Sequence, residues 1–373
     1  MSIPNLREGK MRALRADKGA TETKLDTVDI PKLGPQDVLI KVKSAGLSPG
    51  PFTLLKLGRL RQLPTTFGHE VAGVVEKIGD LVHNVQIGQR VRLYPNLSCG
   101  SCIYCTTGRD QMCVQAAMIG FQCFGKGRVP LFEAYHEGGL AGYLRAPSWL
   151  IDVLPDNVSF DVGAKVHSLA NAVRALKVAE LQPASTVMIT APTGSMGTCC
   201  VKLAHFFGIT RLILVGRSRE RMEAVRKLTP IDCDIVDTGS LGDDWPTTNA
   251  LATRLSQVVP QNGVDAILDF TSNGTDMYQV MASLAVGGTL VHMGGNTSPL
   301  PVPLIAAMTN CWRIIGTKNH SRAETRVVLD WLRDGLLKVD DLVTHSFDLQ
   351  EVDEAVRALR ERSSPIWWMV VHP

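Results

Sequence analysis

Residues 185–216 read STVMITAPTGSMGTCCVKLAHFFGITRLILVG, and this stretch decides the fold class. A short run of β-branched and apolar residues, TVMIT, is followed by a turn from Ala191 to Gly197. A helical stretch, TCCVKLAHFFG, and a second apolar strand, RLILVG, come next. That order, strand, glycine-bearing turn, helix, strand, is the context in which such a turn binds a dinucleotide. Gly194 lets backbone approach a pyrophosphate and Gly197 permits close helix–strand packing, with Thr193, Ser195 and Met196 between and beside them. The free N–H groups and positive dipole of the helix start favour an anion there. Ala191 stands where the usual fingerprint has its first glycine. An ordinary βα turn would use the same glycines for packing alone.

The alternation continues downstream. SRERMEAVRKL predicts a helix, CDIVDT a strand, DAILDF a strand, TDMYQVMASLA a helix, and TLVHMG and WRIIGT two more strands. Strands alternating with helices of this length predict a doubly wound parallel sheet. Residues 1–150 read differently. KLDTVDI, DVLIKVKSAG, HEVAGVVEKIG and QRVRLYP are short β-rich runs bounded by Gly, Pro and Asn. After the parallel sheet, ETRVVLDWLRDG and VDEAVRALRE read as amphipathic helices around the strand VTHSFDL, with WWMVV closing the chain. The parallel sheet is complete by Gly316, so these elements are expected to return to the β-rich part.

At the end of the second parallel strand stand Gly216, Arg217 and Ser218, with Arg221 one turn on. An NAD site places a carboxylate about 20 residues past the glycines, on the ribose 2′-hydroxyl. Gly216 occupies that place, while Arg217, Ser218 and Arg221 offer cations and a hydroxyl to a 2′-phosphate. NADP is therefore expected over NAD, although Glu220 and Glu223 are interleaved as on a solvated helix start.

Cys99, Cys102, Cys105 and Cys113 fall within one loop of 15 residues. Four thiolates so close suit tetrahedral zinc, and a closed four-sulfur site has no open position for chemistry. The last spacing does not match the ferredoxin run. Nine cysteines without an export signal argue against paired disulfides. The expectation is a structural zinc stabilising the loop.

These motifs occur in a definite order: Gly68-His69-Glu70-Val-Ala-Gly73 and Gly79, then the cysteine loop, then the AxxGxxG turn. Together they resemble the zinc-containing alcohol dehydrogenases of the medium-chain dehydrogenase/reductase superfamily. The likeness extends through GGLAGYLRAP and GGTLVHMGG. It implies an α/β protein: a GroES-like β-rich catalytic domain over 1–155 and 318–373, carrying the zinc lobe at 99–113, and a Rossmann NADP-binding domain over 156–317. It implies an active site in the cleft between them, with Thr271, Met293 and Gly294 beside the cofactor. It further implies a homodimer or dimer-based tetramer joined near LPVPLI and WRIIGT.

The departures from that pattern matter. The family's cysteine ligand to catalytic zinc falls on Ser48, its proton-relaying hydroxyl on Gly50, and its acidic position on Pro51. The GLSP stretch is instead similar to the GLNP stretch of the family's quinone and enone reductases, which lack that zinc. Yet His69 is present, His167 stands where the third ligand usually sits, and Asn171 replaces the threonine commonly beside the nicotinamide. A neutral hydroxyl is a poor zinc ligand, so His69 and His167, with Ser48 or Glu70, are expected either to hold a weak second zinc or to act as hydrogen-bonding cleft residues. The leading expectation is an NADPH-dependent oxidoreductase acting on a carbonyl or alcohol, or on a conjugated enone. A catalytically decayed nucleotide-binding protein on the same scaffold is the alternative.

Composition excludes other classes. With 39 basic and 36 acidic residues the net charge is +3, which gives no case for nucleic acid or anionic membrane. At 45% hydrophobic and 20% charged the chain is neither disordered nor membrane-spanning. The start, MSIPNLREGKMRALRADKGA, has no apolar h-region, so a cytoplasmic protein with a small-molecule substrate is expected. The aromatics of MIGFQCFGKGRVPLFEAYHEGG predict a roomy apolar pocket.

Overall fold

The computed structural model describes residues 9–362 and 364–373. The first residues of the N-terminal stretch read above for a targeting signal lie outside it. The chain divides into two compact units, 1–167 with 320–373, and 168–319. The division falls inside the long helix Phe160–Val178.

The first unit is β-rich. Its larger sheet has seven strands, and six of them form a continuous path. Ile151–Val153, Arg90–Leu93, Glu70–Ile78, Asp37–Leu47, Trp368–His372 and Val343–Asp348 lie side by side in that order, and Tyr143–Pro147 also pairs with Asp37–Leu47. The C-terminal strand runs antiparallel to Asp37–Leu47, with Met369 opposite Leu47. This central strand is buried along almost its whole length, which explains the unbroken apolar reading of DVLI and SAGL. A smaller sheet pairs Lys10–Ala16 with Lys24–Asp29 on one side and Thr65–Thr66 on the other. The core gathers Ile40, Val71, Val91, Leu93, Phe67 and Val371. Helix Arg322–Arg333 starts at a reciprocal cap between Ser321 and Glu324. Helix Val352–Glu361 buries Val352, Ala355, Val356 and Leu359, the spacing of one helical face.

The second unit is a six-stranded parallel sheet. Its order is Asp232–Asp237, Ile209–Gly216, Ser185–Thr190, Val264–Asp269, Leu284–His292 and Arg313–Gly316. Numbered within the unit this is 3-2-1-4-5-6, the dinucleotide-binding arrangement. The inner strands are apolar throughout because both faces are covered: Val187, Met188, Ile189 and Leu212–Val215 are buried.

Two predicted helices differ. TDMYQVMASLA forms a 3-10 helix, Asp276–Ser283, and its last two residues, Leu284 and Ala285, open the following strand. The segment is only two turns long and Thr275 supplies no side-chain cap, so nothing stabilises a regular α-helix. Likewise TCCVKLAHFFG is α-helical to Leu203 and tightens into a 3-10 turn over Ala204–Phe207, stopped by Gly208 at φ 70°. Among the described residues no helix is long and apolar enough to cross a membrane.

Candidate active site and zinc lobe

The cysteine lobe is organised as its spacing predicts. The four sulfurs lie within 4.8 Å of one another. Cys99 Sγ is 4.0 Å from Cys105 Sγ, and Cys102 Sγ is 3.5 Å from Cys105 Sγ. Zinc–sulfur bonds of about 2.3 Å at tetrahedral angles require sulfur–sulfur edges of about 3.8 Å. Disulfide bonds would need about 2 Å. Backbone N–H groups already point at the sulfurs, from Cys102 to Cys99 and from Gln115 and Cys99 to Cys113. The donor set fits a closed structural zinc held by Cys99, Cys102, Cys105 and Cys113. Bound there, zinc would tie a loop with little core of its own to the sheet.

In the second unit the helix Ser195–Leu203 begins directly after Gly194, at the carboxyl end of the first parallel strand. Ala191 adopts φ 49°, so the departure from the usual first glycine keeps the tight turn at the cost of strain. A Cβ on Gly197 would lie 2.6 Å from Pro192 Cα, whereas one on Gly194 would meet only the Ala191 carbonyl at 3.5 Å. Gly197 is therefore a packing glycine, and Gly194 leaves the helix N-terminus open to a phosphate. Thr193, Ser195 and Met196 are half-exposed around it, and Ser195 Oγ donates to Ser168 Oγ at 3.3 Å. At the second strand end, Gly216 abuts Met222 and Arg217 is exposed. Ser218 caps the next helix by accepting from the Arg221 backbone at 3.4 Å, which leaves its hydroxyl proton to donate elsewhere. These residues fit a dinucleotide cradle.

Thr271, Met293 and Gly294 gather at the ends of the fourth and fifth strands. Gly294 packs so tightly on the Thr271 carbonyl that a Cβ would lie 2.0 Å away, and the Met293 N–H donates to the Asp269 carbonyl. A polar cluster that sequence reading overlooked sits there. Asp269 accepts from Thr190 Oγ1 at 2.5 Å, from Thr271 Oγ1 at 2.8 Å and from the Thr271 N–H. His292 Nδ1 lies 2.7 Å from its other oxygen. Burial pushes the Asp269 carboxyl up, but the donors of His292, Thr190 and Thr271 outweigh this and hold it below the usual range. A polar residue closing each apolar strand at its carboxyl end was the available signal.

In the first unit, the register Gly46 opposite Glu70 sets the end of strand Asp37–Leu47 beside the start of Glu70–Ile78. Ser48 follows the first of these strands and His69 precedes the second. Ser48 starts helix Pro49–Lys56 without using its hydroxyl as a cap. Gly50 leaves room for Phe121, whose ring a Cβ would approach at 3.2 Å, and Phe121 stacks on His69 at 5.1 Å between centroids. The His69 and His167 rings meet edge-on at 5.2 Å. Both are buried. Burial holds His69 down to about 4, with Glu70 raising and Lys165 lowering it further. Burial, with His320, His69, Arg92 and Lys165 nearby, holds His167 well below its usual range. Both rings are neutral at pH 7. Asn171 lies one turn along the same helix as His167, within the second unit, and is buried.

Two participants in this region, Lys165 and His320, were not singled out from sequence. Lys165 and Glu70, each 1% exposed, form an ion pair at 2.5 Å. Gly46 makes room for it, since a Cβ there would lie 2.5 Å from Glu70 Oε2 and 2.9 Å from Lys165 Cδ. His320 Nε2 lies 3.0 Å from His167 Nδ1. A lysine inside an otherwise apolar helix, AKVHSLA, was the one signal available for Lys165.

Among the described residues no second group of three metal donors gathers around His69 and His167; only the four cysteines bring three or more His, Cys, Asp or Glu donor atoms together. Glu70 is committed to Lys165, one nitrogen of His167 faces His320, and Ser48 offers a neutral hydroxyl. The aromatics of the segment 118–139 divide between two surroundings. Phe121 and Phe124 gather by His69, but Phe132 enters the core and Tyr135 donates to Asp37 at 2.7 Å.

Comparison with known proteins agrees with this architecture. The "Alcohol dehydrogenase GroES-like domain" family matches residues 34–156, and the "Zinc-binding dehydrogenase" family matches residues 195–334. L-idonate 5-dehydrogenase of Vitis vinifera is 28% identical over 90% of this chain and 87% of its own length. Sorbitol dehydrogenase of Arabidopsis thaliana is 27% identical over 93% of this chain and 92% of its own. A Sinorhizobium meliloti 1021 protein solved with NADP shares the fold at TM-score 0.82 and 24% identity, covering 98% of this chain and 100% of its own. An Escherichia coli alcohol dehydrogenase solved with NADH does so at 0.84 and 20%, with the same coverage. The chain belongs to the zinc-containing medium-chain dehydrogenase/reductase superfamily. It is a dehydrogenase-type oxidoreductase.

Proposed function

We propose that this protein is an NADP(H)-dependent oxidoreductase interconverting an alcohol and a carbonyl on a small hydroxylated substrate. In this reading one zinc sits in the cysteine lobe, and imidazole and hydroxyl groups act at the reacting oxygen. The observation that carries the reading is the buried pair of neutral histidines, His69 and His167, which among the described residues belong to no group of three metal donors. NADP is favoured by Arg217 and Arg221 and by a glycine, Gly216, where a carboxylate would repel the 2′-phosphate. Relatives named for sorbitol and L-idonate support a hydroxylated carbon chain as substrate.

The cofactor, when bound, supplies or accepts the hydride at its nicotinamide. The helix start at Gly194 and Ser195 holds the phosphates. In the reducing direction the carbonyl oxygen gains electron density and then a proton. The Ser48 hydroxyl, not engaged in capping, donates a hydrogen bond to that oxygen. In the oxidising direction a neutral imidazole accepts the substrate hydroxyl's hydrogen bond and proton.

A second reading, reduction of a conjugated enone, is favoured by the replacement of cysteine, relay and acid by Ser48, Gly50 and Pro51. A metal count on purified protein, combined with NADPH oxidation on ketoses, simple aldehydes and enones, separates the two. One zinc per chain and turnover on hydroxylated ketones are expected. Two firmly held zincs would remove the metal-free reading, and turnover on enones alone would replace the substrate class. Cofactor binding without any turnover would return the chain to a binding-only role.

We further propose a homodimer. Arg313–Gly316 is the free edge of the parallel sheet, and Val286, Leu304, Ile305, Met308 and Ile314 are exposed apolar residues in the segments around it.

A further inference from the structure

Thr190, Asp269 and His292 are the last residues of three adjacent parallel strands, Ser185–Thr190, Val264–Asp269 and Leu284–His292. They stand opposite one another in register, so their side chains form a row across the carboxyl ends of the sheet. The strand order turns back between the first and second of these strands, which puts the row at the switch point where such sheets take their ligand. Thr190 and Asp269 are buried, while His292 is partly open to solvent.

Both partners of the His292 ring have fixed roles. Asp269 Oδ1 collects the Thr190 hydroxyl, the Thr271 hydroxyl and the Thr271 N–H, donors that keep this carboxyl ionised and able only to accept. His292 Nδ1, 2.7 Å from Asp269 Oδ2, therefore carries the proton. His292 Nε2 accepts from the Asn296 backbone N–H at 3.3 Å, and an N–H can only donate. A second proton on the ring would set one N–H against another. Asn296 carries the bridge on: its Nδ2 donates to the Gly274 carbonyl at 2.7 Å, and its Oδ1 accepts from the Ser298 N–H at 2.9 Å. The Gly274 N–H closes the set by donating to the Ser298 hydroxyl at 3.2 Å. The loop after the fourth strand of this sheet, 270–275, is thus clipped to the loop after the fifth, 293–298.

We infer that His292 and Asn296 are positioning residues: together they fix the separation of these two loops and so shape the seat for the nicotinamide half of the cofactor. This rests on the reading above that a nicotinamide dinucleotide is bound. A sheet of this strand order is built from two mononucleotide-binding halves. Gly194, Arg217 and Arg221 belong to the first half, with the phosphates and the adenosine ribose. The clipped loops belong to the second half, and Thr271, Met293 and Gly294 lie on them. Loosening the clip disturbs how the second nucleotide is held and leaves the first as it was.

The test compares NADPH with 2′-phospho-ADP-ribose, which keeps the adenosine half and the pyrophosphate but lacks the nicotinamide. Each is titrated into the full-length protein by calorimetry, with NADH and ADP-ribose in parallel. His292→Leu and Asn296→Ala should each weaken NADPH about 10-fold, the scale of a buried hydrogen bond lost, and leave 2′-phospho-ADP-ribose within about twofold. The double variant should bind NADPH little worse than either single, because both break one clip. His292→Gln sets an amide oxygen near the lost Nε2, for the Asn296 N–H, and should recover NADPH to within about threefold. Long-range nitrogen–proton correlation on histidine-labelled wild type, with His292 assigned by its loss in His292→Leu, should show the proton on Nδ1 alone. A proton on Nε2 overturns the inference. So does an equal fall in both ligands, which is what a merely structural role would give, and so does unchanged NADPH affinity in both single variants. Wild type that binds neither NADPH nor NADH refutes the cofactor reading, and the inference with it. Wild type that prefers NADH corrects the choice of cofactor alone, and the same outcomes, read on NADH and ADP-ribose, then decide the inference.

Discussion

The buried pair of Lys165 and Glu70 offers the sharpest test of how this site is built. Each side chain is 1% exposed and Nζ meets Oε2 at 2.5 Å, under a strand that carries glycine at position 46 to admit them. Lys165→Met keeps the length of the side chain and removes only the ammonium. The Glu70 carboxylate then stays in a low-dielectric interior without its counter-charge, a situation that costs about 3–5 kcal/mol. Glu70→Leu should cost a similar amount for the reverse reason. The double variant Lys165→Met/Glu70→Leu removes both charges and leaves two apolar side chains of comparable volume, so it should return to within about 1–2 kcal/mol of wild type. Urea unfolding followed by near-ultraviolet circular dichroism gives the four stabilities, and the cycle isolates the coupling. A coupling of more than about 2 kcal/mol is expected for partners in contact. If Lys165→Met changed stability by less than 1 kcal/mol, or if the double variant equalled the sum of the singles, the two would not be partners. Glu70 would then be open to a metal.

Zinc in the cysteine lobe should survive mild chelation. Cys102→Ser should lose it together with much of the stability, measured by metal content and thermal unfolding. Arg217→Ala should weaken NADPH by about 10-fold or more and leave NADH nearly unchanged in a fluorescence titration, since only NADPH carries the 2′-phosphate. Gly216→Asp should shift preference toward NADH, and the neighbouring Met222 side chain can yield to the new Cβ. Stability should fall on acidification below about pH 6.5. Burial holds His69 down to about 4 and His320 down to about 3, so the unfolded chain binds more protons in that window. His167 is held well below its usual range too, so the three together contribute roughly 3–4 kcal/mol per pH unit between 6 and 5, and His320→Gln should remove about a third of that slope in denaturant titrations at stepped pH. Leu304→Lys should yield monomer in analytical ultracentrifugation if the exposed apolar edge pairs two chains.

Local chemistry settled much of this protein before any fold was built. The parallel sheet was legible because its strands are buried on both faces and read as unbroken apolar runs between turns. The cysteine lobe was legible because four thiols within 15 residues are brought together by the loop that carries them, whatever surrounds it. The cofactor turn was legible because Gly197 answers a contact within the turn itself, at Pro192, five residues away.

What only the tertiary structure decided lies in pairs far apart in the chain. Lys165 meets Glu70 across 95 positions, and His320 meets His167 across 153. No periodicity or spacing encodes such a meeting, because it depends on which strand ends and helix turns the completed sheet sets side by side. Sequence placed His69, His167 and Ser48 near one another through family likeness, but left open whether they hold a metal. The completed fold adds the partners of Glu70 and His167, Lys165 and His320, to that question. Burial removes water as a partner for those groups, and a buried polar group must then satisfy itself with another that the fold delivers.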